Sequence, residues 1–261
     1  MHQEQRFNAY VETYDLTDPQ IALKKNHTWR VVERADQIAQ SLPLSAHERR
    51  LAHLAALFHD LGRFEQVKRY HTFHDAQSVN HAALGAQILR DQPSFLGDLS
   101  KKDQELIIQA VESHGLFEIP LEHQGLQRTL DQIVRDADKL DIFFVAATED
   151  PTITSGQTLE KTRQAVVSSK VVEAIQRGQC IRREDRQSGL DIWVSFLGFV
   201  FDLNYPISFQ MALNEGHWKK PLTSLLDQGL IENRKAQEQV QTILESVQLA
   251  LEKGANFSNL H

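Results

Sequence analysis

The stretch Ser45–Gly62, SAHERRLAHLAALFHDLG, decides the fold. Ser45 followed three residues later by Glu48 is a capping-box start, and the apolar positions beyond it recur at the three- and four-residue spacing of a helix. The pattern predicts a helix from Ser45 to Gly62, with the glycine closing it. His59 stands four residues after Ala55 and seven after Ala52, so an imidazole lies on the apolar stripe with the carboxylate of Asp60 beside it. His47 and His53 fall off that stripe and are expected in solvent.

The same period extends in both directions. It predicts helices over Asn26–Ser41, with Val31, Ala35 and Ile38 on one stripe, and over Val79–Arg90, Lys102–Ser113 and Gln127–Thr148. The polar, aromatic stretch Arg63–Ser78 reads as a loop. Turn formers in PTITSG, Pro151–Gly156, mark an internal boundary, and helices are expected beyond it over Leu159–Arg177, Leu190–Leu203 and Glu232–Lys253. Strand-like alternation is almost absent, so the fold class is all-α. The expected organisation is a helical domain over 1–150 that carries the chemistry, and a C-terminal helical extension over 151–261 packed on it.

Composition narrows the function. A chain of 261 residues, 41% hydrophobic, supports a sizeable core without disulfides. With 28 Lys+Arg against 35 Asp+Glu and a net charge of −7, it lacks the concentrated positive charge of a dedicated nucleic-acid binder. The single Cys180 excludes an internal disulfide framework and any CxxC metal site, which fits a cytoplasmic protein. No apolar run approaches the ~18–20 residues of a membrane span. The apolar C-terminal helices suit a homodimer contact.

The chemistry lies in where acidic and imidazole groups meet the apolar stripes. His27 precedes Val31 by four residues, His81 heads the stripe of Leu84, Gly85 and Ile88, and His114 follows Ala110 by four. Asp138 lies four residues from both Val134 and Ile142. A lone histidine on such a face reads as a satisfied core residue. Two carboxylates among several inward imidazoles are hard to satisfy by hydrogen bonds alone, and a divalent cation resolves the conflict. The donor mixture suits Zn, Mn, Fe, Co or Ni, and a carboxylate-rich variant holds Mg.

The order His27 in HTWRV, His59-Asp60 in ALFHDLGRF and Asp138 in VRDADKLD resembles the H…HD…D signature of the HD-domain metal-dependent phosphohydrolases. The resemblance covers about residues 20–150 and implies an HD-domain helical bundle in which His27, His59, Asp60 and Asp138 ligate a metal. Asp138 is chosen over Asp136 because the family places its ligand directly before the basic residue that precedes Leu. HAALGAQIL and VESHG resemble the extra histidines of the dinuclear H…HD…H…H…D subset, which includes the HD-GYP phosphodiesterases and di-iron oxygenases. By that likeness His81 and His114 hold a second metal, with Asp60 bridging. No GYP follows Gly62, which argues against the HD-GYP subtype.

The resemblance implies a phosphomonoesterase or phosphodiesterase acting on a small phosphorylated molecule, a nucleotide foremost, through metal-activated water. Asp60 is the central catalytic residue of this reading, with one or two divalent ions as cofactor. Arg63 and Lys139, close in sequence to Asp60 and Asp138, are expected to bind the phosphate; for Lys139 a surface ion pair is the competing reading. The segment YHTFHDAQSVNH reads as a polar lid holding His71 and His74, and Glu65 and Asp75 are further candidates for proton transfer. Gly85 is expected to leave room for close helix packing at the metal, and Gly115 to end a helix. The alternatives are a di-iron oxygenase on the same scaffold and a non-catalytic nucleotide-binding regulatory module.

Overall fold

The apolar stripes fold as helices, and the described residues contain no strand. The structure is a computed structural model describing residues 2–149 and 162–256. In chain order the helices are α1 (Gln3–Val11), α2 (Pro19–Gln40), α3 (Ala46–Phe58), α4 (Leu61–Tyr70), α5 (His81–Asp91), α6 (Lys101–Ser113), α7 (Gly125–Thr148), α8 (Ser169–Gln176), α9 (Gly189–Leu197), α10 (Pro206–Glu215), α11 (Lys220–Asp227) and α12 (Arg234–Asn256). The chain divides into two compact units, Met1–Asp138 and Lys139–His261, and α7 runs through the division. No helix among the described residues is long and apolar enough to cross a membrane.

In the first unit α2 packs on α3, α3 on α6, α6 on α5 and α5 on α4, so the helices that carry or adjoin His27, His59, Asp60, His81 and His114 form a continuous run of neighbours. Their starts are set by local chemistry. Asp18 accepts from the Gln20 amide ahead of Pro19, Ser45 and Glu48 form the expected capping box, Asn80 accepts from Ala83, and Ser100 from Asp103. Phe7 of α1 closes one end of the core, its ring edge-on to Trp29, Phe58 and Phe64 at 5.9, 6.5 and 6.0 Å. In the second unit α10 and α8 both pack on α12, whose Val240, Ile243, Val247 and Leu251 form the buried stripe.

Several boundaries differ from the sequence reading. The helix expected over Ser45–Gly62 breaks after Phe58, and His59 and Asp60 occupy the turn before α4. Gly62 therefore opens a helix instead of closing one. Arg63–Tyr70, expected in a loop, is helical because Leu61, Phe64 and Val67 bury one face. α2 starts at Pro19, well before Asn26, and α1, α10 and α11 were not anticipated. The helix expected over Leu159–Arg177 is formed only from Ser169 in its described part, and Leu190–Leu203 changes to a 3₁₀ turn at Gly198. The PTITSG boundary lies outside the described residues.

Candidate metal centre

His59 and His114 each follow the last residue of a helix, α3 and α6, where backbone carbonyls lack intrahelical partners. Each ring uses one of them. His59 Nδ1–H donates to Ala56 O and His114 Nδ1–H to Val111 O, both at 2.7 Å. His81 is the first residue of α5, and its Nδ1–H donates to the Asp75 carboxylate at 2.7 Å. With Nδ1 occupied as donor, the neutral form of each ring presents a bare Nε2.

These nitrogens converge on Asp60, which is almost fully buried. Asp60 Oδ2 lies 3.4 Å from His27 Nε2 and 3.5 Å from His59 Nε2. Asp60 Oδ1 lies 3.5 Å from His81 Nε2 and 3.8 Å from His114 Nε2. The two carboxylate oxygens thus serve two half-sites. In the first, the His27 and His59 Nε2 atoms are 3.3 Å apart, and Asp138 Oδ1 adds a ligand at 3.2 and 3.7 Å from them. In the second, the His81 and His114 Nε2 atoms are 3.2 Å apart.

The His81–His114 contact tests whether a cation fits. Both nitrogens carry lone pairs, so the contact is repulsive unless a positive centre lies between them. Two ligand atoms held about 2.1 Å from one cation at tetrahedral or octahedral angles stand roughly 3.0–3.4 Å apart, the spacing found here. The donor set has the composition and separation of a metal centre, and buried His/Asp groups assemble as His27, His59, Asp60 and as Asp60, His81, His114.

The protonation states agree. Burial pushes the His59 ring below its ordinary value against the pull of Asp60 and Asp138. Burial and then the charge of Arg63 push His81 down to about 4, with Asp75 opposing. For Asp60, burial favours the neutral acid, but the Lys24 ammonium beside it holds the carboxyl well below the usual range. Asp138 is likewise held down against burial by His27 and His59. At neutral pH Asp60 and Asp138 are therefore carboxylates and His59 and His81 neutral imidazoles, the forms that bind metal.

A family model described as "HD domain" matches residues 25–142. Residues 25–142 are an HD domain. The match spans every residue of both half-sites. No curated protein and no solved structure matches the chain significantly.

The other residues singled out from sequence are placed as follows. Arg63 of the HD domain reaches Asp60 Oδ1 through Nε at 3.5 Å, while its Nη1 donates to Gln66, Phe73 O and Asp75 at 2.8, 2.8 and 2.9 Å. Lys139, expected at the phosphate, is instead held by Asp202 at 2.6 Å and lies over the Phe199 ring. Glu65 accepts from Tyr14 and Arg69, which accounts for it without proton transfer. His71 ends α4 in a left-handed conformation, and His74 is exposed. His53, expected in solvent, is part-buried between Asp36 and Glu4. Gly85 does approach Gly62, but Gly62 is the tighter of the two: a Cβ there would fall 2.2 Å from His81 O.

Three supports of the HD domain escaped the sequence reading. Lys24 Nζ pairs with Asp60 Oδ2 at 2.5 Å, and its position three residues before His27 on α2 was the available signal. Asp75 was read as a proton-transfer group, yet its contact is the His81 ring, the carboxylate–histidine arrangement that orients metal ligands. The buried Arg135 donates to the carbonyls of His114, Leu116 and Phe117 at 3.2, 2.6 and 3.1 Å, fixing the backbone that carries His114.

Proposed function

We propose that the protein is a metal-dependent phosphohydrolase of small phosphorylated molecules, with nucleotides as the leading class. The supporting observation is the division of Asp60 between two half-sites, Oδ2 toward His27 and His59 and Oδ1 toward His81 and His114. His27, His59, Asp60 and Asp138 hold one divalent ion in this reading, and Asp60, His81 and His114 a second. Such ions acidify bound water and polarise a phosphoryl oxygen, which is the chemistry phosphate-ester hydrolysis requires.

The chain's own residues supply the rest. Asp60 fixes the spacing of the half-sites, because both of its oxygens are committed on a buried side chain. Ala56 O, Val111 O and Asp75 fix the ring orientations of His59, His114 and His81. Arg63 brings a guanidinium to the Asp60 Oδ1 side, anchored by Gln66 and Asp75 so that it loses little entropy on meeting an anion. Phe73, half-buried in the loop beside Arg63, offers a ring on which a base can stack.

Phosphate release from a panel of nucleotides and sugar phosphates, with Mn, Co, Ni or Mg added in turn, tests the proposal. Release that disappears in Asp60→Ala supports it. Silence with every metal, accompanied by oxygen uptake on loading with Fe(II), would replace it by an oxygenase, since the donor set of His81, His114 and a shared carboxylate also suits a di-iron centre.

A further inference from the structure

The centre opens to solvent unevenly. The side chains of His27, His59 and Asp60 are 2%, 0% and 3% exposed, whereas Lys24 and Asp138 are each 16% exposed. An incoming molecule therefore meets Lys24 and Asp138 before it meets the buried ligands. Of these two only Lys24 attracts an anion.

Lys24 is placed by a rigid element. It sits on α2 one helical turn before His27, and the chain there is tied by the Lys24 O–Thr28 Oγ1 bond at 2.9 Å. Its ammonium faces Asp60 Oδ2, the oxygen shared with His27 and His59. Arg63 faces the other oxygen, Oδ1. The two cations also flank one ring, with Lys24 Nζ 5.5 Å and Arg63 Cζ 5.7 Å from the Phe73 centroid. A phosphoryl group lying against Asp60 on this side is within reach of both.

We propose that Lys24 is the lysine that binds the substrate's phosphoryl group, the role the sequence suggested for Lys139. Lys139 is 8% exposed and its amine is committed to Asp202. A divalent ion held at Asp60 Oδ2 would draw on the same oxygen that Lys24 pairs with, weakening that pair and making the ammonium available to a phosphoryl oxygen. The loss of one charged donor to a phosphate weakens binding by about tenfold or more. The inference rests on the phosphohydrolase reading but is tested without turnover.

The test is equilibrium binding of inorganic phosphate to the Mn-loaded full chain, with metal content measured for every sample. Lys24→Met is expected to weaken phosphate binding at least about tenfold at unchanged metal content. Lys24→Arg is expected to restore part of it, and Lys139→Met to bind as the wild type does. Lys24→Gln, which keeps a donor and a similar volume, replaces the methionine variant if that one fails to fold. On any ester that is turned over, Lys24→Met should raise KM more than it lowers kcat. Equal phosphate affinity in wild type and Lys24→Met would overturn the inference, and so would absence of phosphate binding by the loaded wild type. Phosphate binding that depends on Lys24 in a protein that hydrolyses no ester would support this inference while the hydrolase reading fails. Hydrolysis with Lys24-independent phosphate binding would do the reverse.

Discussion

Gly62→Ala adds one methyl group where α4 meets α5. The new Cβ would fall 2.2 Å from His81 O and 2.6 Å from Gly85 N, both backbone atoms of a helix that cannot yield by changing a rotamer. A carbon and a carbonyl oxygen settle at roughly 3.2 Å, so α5 must retreat by about 1 Å; overpacking of this kind costs typically 1–3 kcal/mol, and opposing backbone places it near ~3. For a chain of this size that lowers Tm by about 6–12 °C. The same retreat carries His81, the first residue of α5, away from Asp60, and 1 Å is about five times the ~0.2 Å tolerance of a metal–ligand bond. Calorimetric melting combined with metal titration is the assay, and the expected result is a lowered Tm with loss of the second metal equivalent and retention of the first. Gly85→Ala, whose nearest neighbour would be 3.2 Å away, should cost about 1 kcal/mol. Gly115→Ala meets nothing closer than 3.4 Å and should melt like the wild type. If Gly62→Ala also melted within a degree of the wild type and bound two equivalents, the helices would not approach as described.

Asp75→Asn should weaken the second metal equivalent about 10–100-fold and leave the first unchanged, because among the candidate ligands it is the His81 ring that Asp75 bonds; isothermal titration of both equivalents decides it, and equal losses at both would refute the assignment. Asp60→Asn should weaken both equivalents and Asp138→Asn only the first, as read by metal analysis after dialysis. His53 is pulled above the ordinary imidazole value of 6.5 by its bond to Asp36 first, against burial, and then by Glu4. Protonation is favoured in the folded state, so the stabilisation is complete below about pH 6.5 and is lost as pH rises through the folded value. The Tm difference between wild type and His53→Gln should therefore be larger at about pH 5.5 than at about pH 9, and a constant difference would count against this pair.

The residues of the centre were legible for a physical reason. His27, His59, His81, His114 and Asp138 share faces with buried apolar side chains, and helical periodicity exposes any polar group on such a face. What supports them was not, because it depends on contacts between elements. Asp75 lies in a loop whose path to the His81 ring has no period, and Lys24 reads as an ordinary surface lysine until α2 is laid beside Asp60. Sequence adjacency misled for Lys139, since successive helical residues point about 100° apart and neighbours do not share a face. α4 was missed because Arg63, Glu65 and Gln66 interrupt the stripe of Leu61, Phe64 and Val67, making a half-buried helix resemble a polar loop.

The bonds that position Asp75 have a further consequence, for the order of assembly. They join Arg63, Gln66, Phe73, Asp75, Ser78, Val79 and His81, all neighbours along the chain, so little loop entropy opposes their closure. The first half-site instead needs His27 and Asp138, from opposite ends of the HD domain. Local contacts form fast and distant ones late. The scaffold around His81 is thus expected early in folding, and the pairing of His27 with Asp138 late, once the whole domain has closed.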